Sequence, residues 1–244
     1  MKHYELGDSE GIPAILHFGS PGCGDSGAEL HELATQFGIR LICPTRPWYD
    51  DEGVSPSFEA VSRGTINYLE AKGIDAVHAI GGSGGGPFAL HLALWDGSKV
   101  KDCTLLAAMG SPREFADHVR SPYTRRLLEI FHGRDYQAWQ DTMAGWGVSK
   151  DLARGAWQDF IAFYDSWPKM ELRAAQPIYV YHGSDDQNAP LEAVRALTKH
   201  APLVEWNVMD AADHLAMAKD PANMIFASIF QGIADRRAVS MGGM

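Results

Sequence analysis

The chain of 244 residues has few cysteines and no long apolar run. Its three cysteines, Cys23, Cys43 and Cys103, are widely spaced, which excludes a disulfide scaffold and the paired CxxC pattern of a structural zinc site. No stretch approaches the roughly 18 apolar residues that a membrane span needs. Residues 1–11 lack the apolar segment of a leader peptide. We therefore expect reduced thiols, a cytoplasmic location and no membrane partner.

Positive charge is also scarce. The chain has 21 Lys and Arg residues against 31 Asp and Glu residues, which gives a net charge of -10. Nucleic-acid binding requires clustered Lys and Arg side chains that neutralise phosphates, so no nucleic-acid partner is expected. The hydrophobic share of 45% is typical of a globular protein, and the length suits one domain with an insertion. We expect a monomer or homodimer whose partner is a small-molecule substrate.

Apolar runs typical of buried parallel strands alternate with helical stripes over most of the chain. The predicted strands span residues 12–18, 39–43, 75–80, 100–108, 177–182 and 203–209, with 4–7 as an edge strand. The spacing of Phe58, Val61, Thr65 and Leu69 predicts one of the intervening helices. Strands that alternate with helices require right-handed crossovers. The pattern therefore predicts an α/β fold: a mainly parallel central sheet with helices on both faces.

The strand signal disappears between residues 112 and 170. In this segment aromatic and apolar residues recur at helical spacing, as at Tyr136, Trp139 and Met143. We predict an inserted helical lid over residues 112–170. The α/β core then consists of the two remaining segments, residues 1–111 and 171–244.

The predicted lid is rich in aromatic residues, with 11 of the 25 in the chain. Most of them are interpreted as the internal packing of the lid, and some are expected to line a pocket. The candidate pocket residues are Trp139 and Trp146 of the lid, together with Trp48 after the second buried strand. The enrichment predicts a small apolar or aromatic substrate.

Ser83 is the candidate nucleophile. It lies in the run Gly-Gly-Ser-Gly-Gly of residues 81–85, between a predicted strand and an apolar helix. Only small neighbours let the backbone turn so sharply at this point, as in the nucleophile elbow of hydrolases. The alternative is a tight strand-to-helix turn without chemistry, so the assignment depends on partner residues elsewhere.

Asp186 and His214 supply those partners, each on a loop after a predicted strand. An elbow serine requires an acid and then a histidine later in the chain. Ser83 would attack, His214 would take its proton and return it to the leaving group, and Asp186 would orient the imidazole. The alternatives are that Asp186 is a capping or turn-forming aspartate and that His214 is a helix-entry or core histidine.

Three further aspartates lie near these residues in the sequence. Asp185 is the alternative acid, because it precedes Asp186 on the same loop. Asp210 and Asp213 lie next to His214 in the sequence, on its N-terminal side, and are interpreted as loop-solvating or capping groups.

A tetrahedral intermediate also needs backbone N–H donors. One donor normally follows the nucleophile, and the other comes from the loop after the first parallel strand. Gly84 and Ser20 occupy these positions, and the hydroxyl of Ser20 could add a further donor. The alternative for Ser20 is a simple turn.

Three segments carry a resemblance to a known family. Residues 18–22 read Phe-Gly-Ser-Pro-Gly, residues 46–50 read Arg-Pro-Trp-Tyr-Asp, and residues 82–88 read Gly-Ser-Gly-Gly-Gly-Pro-Phe. Together they resemble the α/β-hydrolase superfamily, in particular small lid-bearing serine hydrolases, over most of the chain. Phe18 stands where that family usually has histidine, and Trp48 replaces part of a glycine-rich turn.

The resemblance implies a serine hydrolase, carboxylesterase-like, that needs no cofactor and no metal. It would cleave an ester, thioester or lactone through an acyl-enzyme on Ser83. The superfamily also includes carbon-carbon bond hydrolases and lyases, which remain alternatives on the same three residues. A hydrolase-like protein that binds a small molecule with little turnover is an alternative of another class.

A dinucleotide-binding loop is the competing motif. Residues 22–27, Gly-Cys-Gly-Asp-Ser-Gly, have the spacing of the G-x-G-x-x-G fingerprint. That fingerprint expects an acid about 20 residues further on, at the end of the next strand. The chain has Ile-Cys-Pro-Thr at residues 42–45 instead, which argues against a nucleotide cofactor.

Overall fold

A computed structural model describes residues 1–95, 99–170, 172, 176–218 and 224–242. Within them, a single sheet contains the strands β1 (His3–Gly7), β2 (Ile12–His17), β3 (Ile39–Pro44), β4 (Val77–Gly82), β5 (Val100–Leu106), β6 (Ile178–Gly183) and β7 (Val204–Met209). The strand order is β1-β3-β2-β4-β5-β6-β7. β1 pairs antiparallel with β3, and every other neighbouring pair is parallel. The predicted mainly parallel sheet with one added edge strand is confirmed.

The helices are α1 (His31–Gln36), α2 (Pro47–Asp50), α3 (Phe58–Ala71), α4 (Gly86–Trp95), α5 (Pro112–His118), α6 (Pro122–His132), α7 (Tyr136–Gly145), α8 (Lys150–Asp165), α9 (Leu191–Thr198), α10 (His214–Ala218) and α11 (Met224–Gly242). α3, α4 and α9 pack on one face of the sheet, through residues such as Leu69, Leu90 and Val194. α1 and α11 pack on the other face, through Ala34 and Phe230. Both faces are therefore covered, as parallel sheets require.

In the described residues between β5 and β6, four helices, α5 to α8, follow one another in the segment predicted as the lid. We call them the insertion helices. Three of them begin at a side-chain cap, because Ser121, Asp135 and Ser149 accept hydrogen bonds from the backbone N–H groups of the first turns of α6, α7 and α8. Their aromatic core is continuous with Phe58 of α3 and Phe88 of α4. The insertion helices therefore pack firmly onto the α/β core.

None of the helices in the described part of the chain is long and apolar enough to cross a membrane.

Candidate active site

Ser83 lies at the carboxyl end of β4, where one turn of 3-10 helix leads into α4. Its φ is 48°, a left-handed conformation that costs energy for a residue with a side chain. The glycines around it allow close backbone approach: an added Cβ on Gly85 would lie 2.0 Å from the carbonyl oxygen of His17. A Cβ on Gly81 would lie 2.5 Å from the carbonyl oxygen of Gly85. The sharp turn predicted from the glycine run is therefore present, and it leaves the serine half-buried.

His214 and Asp186 meet at the same edge of the sheet. Asp186 follows β6, His214 follows β7, and these two strands are parallel neighbours whose carboxyl ends lie side by side. The distance between His214 Nδ1 and Asp186 Oδ2 is 2.7 Å. A carboxylate only accepts, so His214 Nδ1 donates, which leaves the lone pair of a neutral imidazole on Nε2. This tautomer is the one that a general base needs.

The other oxygen of Asp186 is held by the backbone. Asp186 Oδ1 accepts hydrogen bonds from the N–H groups of Asn188 at 2.9 Å and Ala189 at 2.7 Å. Nearby, His182 Nε2 donates to the carbonyl oxygen of Ala189 at 2.6 Å. Burial lowers the pKa of His182, so this second histidine is neutral. The negative charge of Asp186 can therefore stabilise a protonated His214.

The neighbouring aspartates have other roles. Asp213 Oδ1 accepts from the N–H of Ala216 at 2.7 Å and caps α10, which is one of the two roles predicted for it. Asp210 Oδ1 accepts from the hydroxyl of Ser184 at 3.5 Å. The Asp185 side chain is exposed, and of the two candidate acids it is Asp186 that contacts His214.

Ser20 and Gly84 lie against each other beside the serine. A Cβ added at Gly84 would lie 3.3 Å from the backbone nitrogen of Ser20, and one added at Gly19 would lie 3.1 Å from Ser83 Cβ. The two predicted N–H donors are thus carried by adjacent loops. The hydroxyl of Ser20, however, donates its single proton to Asp159 of α8. The expectation that this hydroxyl could serve as a further donor to the oxyanion is therefore wrong.

Arg46 and Asp159 are the residues near this loop that sequence reasoning did not assign to the site. Both are fully buried, and Arg46 Nε lies 2.6 Å from Asp159 Oδ1. The signal for Asp159 is its phase in α8, because Ala156 and Phe163, three residues before and four after, are also buried. An acid at an otherwise apolar position of a helix requires a buried partner, which the sequence does not identify.

The three candidate pocket tryptophans lie in different environments. Trp48 is fully buried and donates from Nε1 to Asp159 Oδ1 at 2.8 Å. Trp139 is fully buried inside the insertion helices and donates from Nε1 to the carbonyl oxygen of Ala153 at 2.8 Å. Trp146 is 43% exposed and packs edge-on against Tyr123, which is 66% exposed. Trp146 is thus the one of the three with a large accessible surface.

A cavity of about 310 Å³ opens beside His214. Besides His214, its lining consists of Ser121, Pro122, Tyr123, Asp185, Gln187, Asn188, Asp213 and Leu215. Pro122 and Tyr123 of α6 contribute apolar and aromatic surface to this lining, and Asp185 and Asp213 contribute two carboxylates. No Lys or Arg is among these lining residues, so the cavity suits a neutral group.

The thiols of Cys23 and Cys43 are not activated as nucleophiles. Burial raises the pKa of the Cys23 thiol to about 11 and that of the Cys43 thiol to about 12, so both are protonated at neutral pH. No group of three or more metal-ligating side chains comes together in residues that the structure describes.

The glycines of the competing dinucleotide motif serve packing on β3. A Cβ on Gly24 would lie 2.2 Å from the carbonyl oxygen of Cys43, and one on Gly27 would lie 2.8 Å from Cys43 Sγ. The segment continues as a 3-10 helix over Gly24–Leu30, whereas a phosphate site would use the first turn of an α-helix. Close packing accounts for these glycines without a nucleotide.

Comparisons with known proteins identify the family and the fold. The profile of the alpha/beta hydrolase family matches residues 15–225. A 2-hydroxy-6-oxo-6-phenylhexa-2,4-dienoate hydrolase of Comamonas testosteroni is 21% identical, over 88% of this chain and 82% of that protein. An esterase from Exiguobacterium antarcticum has a similar fold, with a TM-score of 0.74, 16% identity, and coverage of 96% of this chain and 94% of the other. A carboxylesterase structure from Nitrososphaera gargenis gives a TM-score of 0.73 at 18% identity, covering 97% and 95%. Because the family profile covers residues 15–225, well over half of the 244 residues, the chain belongs to the alpha/beta hydrolase family.

Proposed function

We propose that the protein is a serine hydrolase that cleaves a small neutral ester through an acyl-enzyme on Ser83. The observation that carries the proposal is the 2.7 Å hydrogen bond between His214 and Asp186 at the sheet edge where Ser83 occupies its left-handed turn. A turn without chemistry would need neither a strained serine nor a buried acid paired with a histidine. The family supports hydrolysis, and the paired residues support a serine nucleophile.

The proposed chemistry has two halves. Ser83 Oγ attacks the ester carbonyl while His214 Nε2 takes the hydroxyl proton, and the oxyanion accepts from the N–H groups of Ser20 and Gly84. The tetrahedral intermediate then collapses: the C–O bond to the alcohol breaks and His214 gives its proton to the leaving alkoxide. Water attacks the acyl-enzyme with the same base, which releases the acid and regenerates Ser83.

The lining of the cavity supports a neutral, apolar substrate. Tyr123 and Leu215 offer exposed apolar surface beside His214, and Trp146 extends that surface by packing on Tyr123. Asp185 and Asp213, which belong to the same lining, repel an anionic substrate. We therefore propose an ester with an apolar or aromatic group as substrate.

Carbon-carbon bond hydrolysis is the second candidate, favoured by the similarity to the phenylhexadienoate hydrolase of Comamonas testosteroni. That protein's substrate, by its name, is a carboxylate. The absence of Lys and Arg from the lining residues beside His214 disfavours such an anion here. The ester therefore remains the first proposal.

A substrate panel with a matched nucleophile variant tests the proposal. Neutral aryl and alkyl esters, a thioester, a lactone and an anionic vinylogous diketone are offered to the wild type and to Ser83→Ala. We expect turnover of the neutral esters, with kcat/KM falling by at least about a thousandfold in Ser83→Ala. A fluorophosphonate should label the wild type and leave the variant unlabelled.

Each other result assigns a different function. Preferred turnover of the diketone would replace the ester by a carbon-carbon bond as the substrate. Fluorophosphonate labelling without turnover of any compound would contradict this substrate class. If the wild type shows no labelling and no turnover, the result would favour a binding protein.

A further inference from the structure

A fully buried carboxylate, Asp159 of α8, connects the insertion helices to the loop that carries Ser20. Its oxygens accept from Arg46 Nε at 2.6 Å and Nη2 at 2.8 Å, from Trp48 Nε1 at 2.8 Å, from the hydroxyl of Tyr49 at 2.6 Å, and from the hydroxyl of Ser20. Every donor comes from outside the insertion. One aspartate therefore fixes α8 to two loops of the α/β core.

Arg46 holds the same loop from its backbone side. Its guanidinium donates to the carbonyl oxygens of Phe18 at 2.7 Å, Gly19 at 2.8 Å and Gly22 at 3.1 Å. Burial alone would lower the pKa of Arg46, but the adjacent Asp159 carboxylate raises it well above its usual range. The guanidinium is therefore always charged and needs the carboxylate beside it.

The network makes contact with the site at Ser20. The side chain of Ser20 is tied to Asp159, while its backbone nitrogen lies next to Gly84, the other proposed N–H donor. An oxyanion site gains its effect from donors that are already oriented before the charge develops. The orientation of this peptide depends on a side-chain bond to another part of the fold.

Stability alone gives little reason for such an arrangement. The free-energy cost of removing two charges from water offsets most of their mutual attraction. Apolar residues of similar size stabilise many cores equally well. Here the pair lies where apolar residues could not hold a hydroxyl and three backbone carbonyls. The chemistry of the contacts therefore indicates a role in placing the loop.

We propose that Asp159 is a positioning residue that holds the Ser20 N–H in the oxyanion site. The oxyanion site is then complete only when α8 is docked on the α/β core. The role rests on the proposed serine hydrolase function. We call the hydrogen bond from the Ser20 hydroxyl to Asp159 the tether. Loss of the tether acts on the transition state, where the oxyanion forms, and leaves ground-state binding of the substrate almost unchanged.

Two variants break the tether from opposite ends. Ser20→Ala removes the hydroxyl and keeps the backbone N–H, and Asp159→Asn removes the charge. Asp165→Asn is the matched control, because Asp165 lies on the same helix but is exposed and pairs with Arg134. For each protein, kcat and KM are measured with p-nitrophenyl butyrate, the Kd is measured for butylboronic acid, and the Tm is recorded.

We expect kcat to fall about ten- to a hundredfold in Ser20→Ala, with KM within about twofold of the wild type. The Kd of the boronic acid, whose tetrahedral adduct on Ser83 resembles the intermediate, should rise by the factor by which kcat/KM falls. In the double variant Ser20→Ala/Asp159→Asn the losses should not multiply, because both changes remove one tether. Asp165→Asn should behave as the wild type.

Ser20→Ala also keeps the test valid if Asp159→Asn fails to fold, since Ser20 is a partly exposed loop residue. An active wild type whose kcat stays within twofold in Ser20→Ala would overturn the positioning role and leave the proposed function intact. A loss confined to KM, or boronic-acid binding that is unchanged, would overturn it as well. A wild type without turnover or fluorophosphonate labelling would overturn the proposed function, and the positioning role with it.

Discussion

Ser83 is held at a φ of 48°, and the backbone around it leaves no room for other side chains at Gly81 and Gly85. The strain is maintained by the strand before it and the helix after it, which together fix where the turn must occur. The backbone torsion of Ser83 thus presents its hydroxyl at the carboxyl end of β4.

Asp186→Asn tests the pairing with His214. The asparagine keeps an oxygen for the N–H groups of Asn188 and Ala189, but its amide donates toward His214 Nδ1, which then must accept. The imidazole proton moves to Nε2, where it blocks the base. We expect kcat for a neutral ester to fall by roughly 10³- to 10⁴-fold, measured at pH 8 with the thermal unfolding curve recorded in parallel.

Asp185→Asn is the matched control for that substitution, because it neutralises the preceding residue, which is exposed. Its kcat with the neutral ester should stay within a few-fold of the wild type. A large loss in Asp185→Asn together with an active Asp186→Asn would assign the acid to Asp185.

α8 shows how one helix can serve packing and the site together. Its apolar residues join the aromatic core, and Gly155 lets the helix approach α2, where an added Cβ would lie 2.3 Å from Tyr49 Cδ1. Tyr49 in turn donates to Asp159 on the same helix. The close contact at Gly155 and the polar contact at Asp159 therefore depend on one docking position of α8.

Gly155→Ala should displace α8 and lower the free energy of unfolding by about 1–3 kcal/mol, since the ring of Tyr49 cannot yield without moving its hydroxyl. Gly145→Ala at the end of α7 is the control, because nothing lies within 4 Å of its added Cβ. The control should be neutral or stabilised by up to about 1 kcal/mol, as alanine is favoured over glycine in a helix. Urea unfolding curves measure both, and equal stabilities of the two variants would contradict the docking argument.

At the scale of the whole molecule, several histidines are buried in their neutral form. Burial lowers the pKa of His17 from 6.5 to about 3, helped by the charge of Arg46, and burial lowers that of His91 to about 4. Among the residues that the structure describes, neither ring nitrogen of His17 has a hydrogen-bond partner. Below pH 6.5 the unfolded chain binds protons that the folded chain does not, so stability is complete above pH 6.5 and declines as the pH falls toward 3.

His17→Phe should flatten this decline. A histidine whose pKa is 6.5 in the unfolded chain and about 3 in the folded chain lowers the free energy of unfolding by about 2 kcal/mol between pH 7 and pH 5. Urea titrations at pH 7, 6 and 5 measure the slope, and His200→Gln, an exposed site, is the control that should keep the wild-type slope. A variant His17→Phe with the same slope as the wild type would show that His17 does not titrate in this way.

The sequence by itself determined the order of the strands along the chain, the sharp turn at Ser83 and the positions of Asp186 after β6 and His214 after β7. These features depend on local spacing and on residue types, which the chain displays directly: apolar runs of strand length, glycines around one serine, and polar residues after strands. It left two roles open for Asp213, loop-solvating or capping, and the structure shows that Asp213 caps α10. Strand ends were predicted less well, since β4 continues to Gly82.

The tertiary structure alone decided which acid faces His214 and what Asp159 contacts. Asp185 and Asp186 are neighbours with the same chemistry, and only the direction of the loop after β6 distinguishes them. Asp159 is 139 residues from Ser20 and 113 from Arg46, so no local pattern links them. Contacts between distant segments form because packing brings their surfaces together. The partner of a buried charge is therefore determined by the tertiary structure.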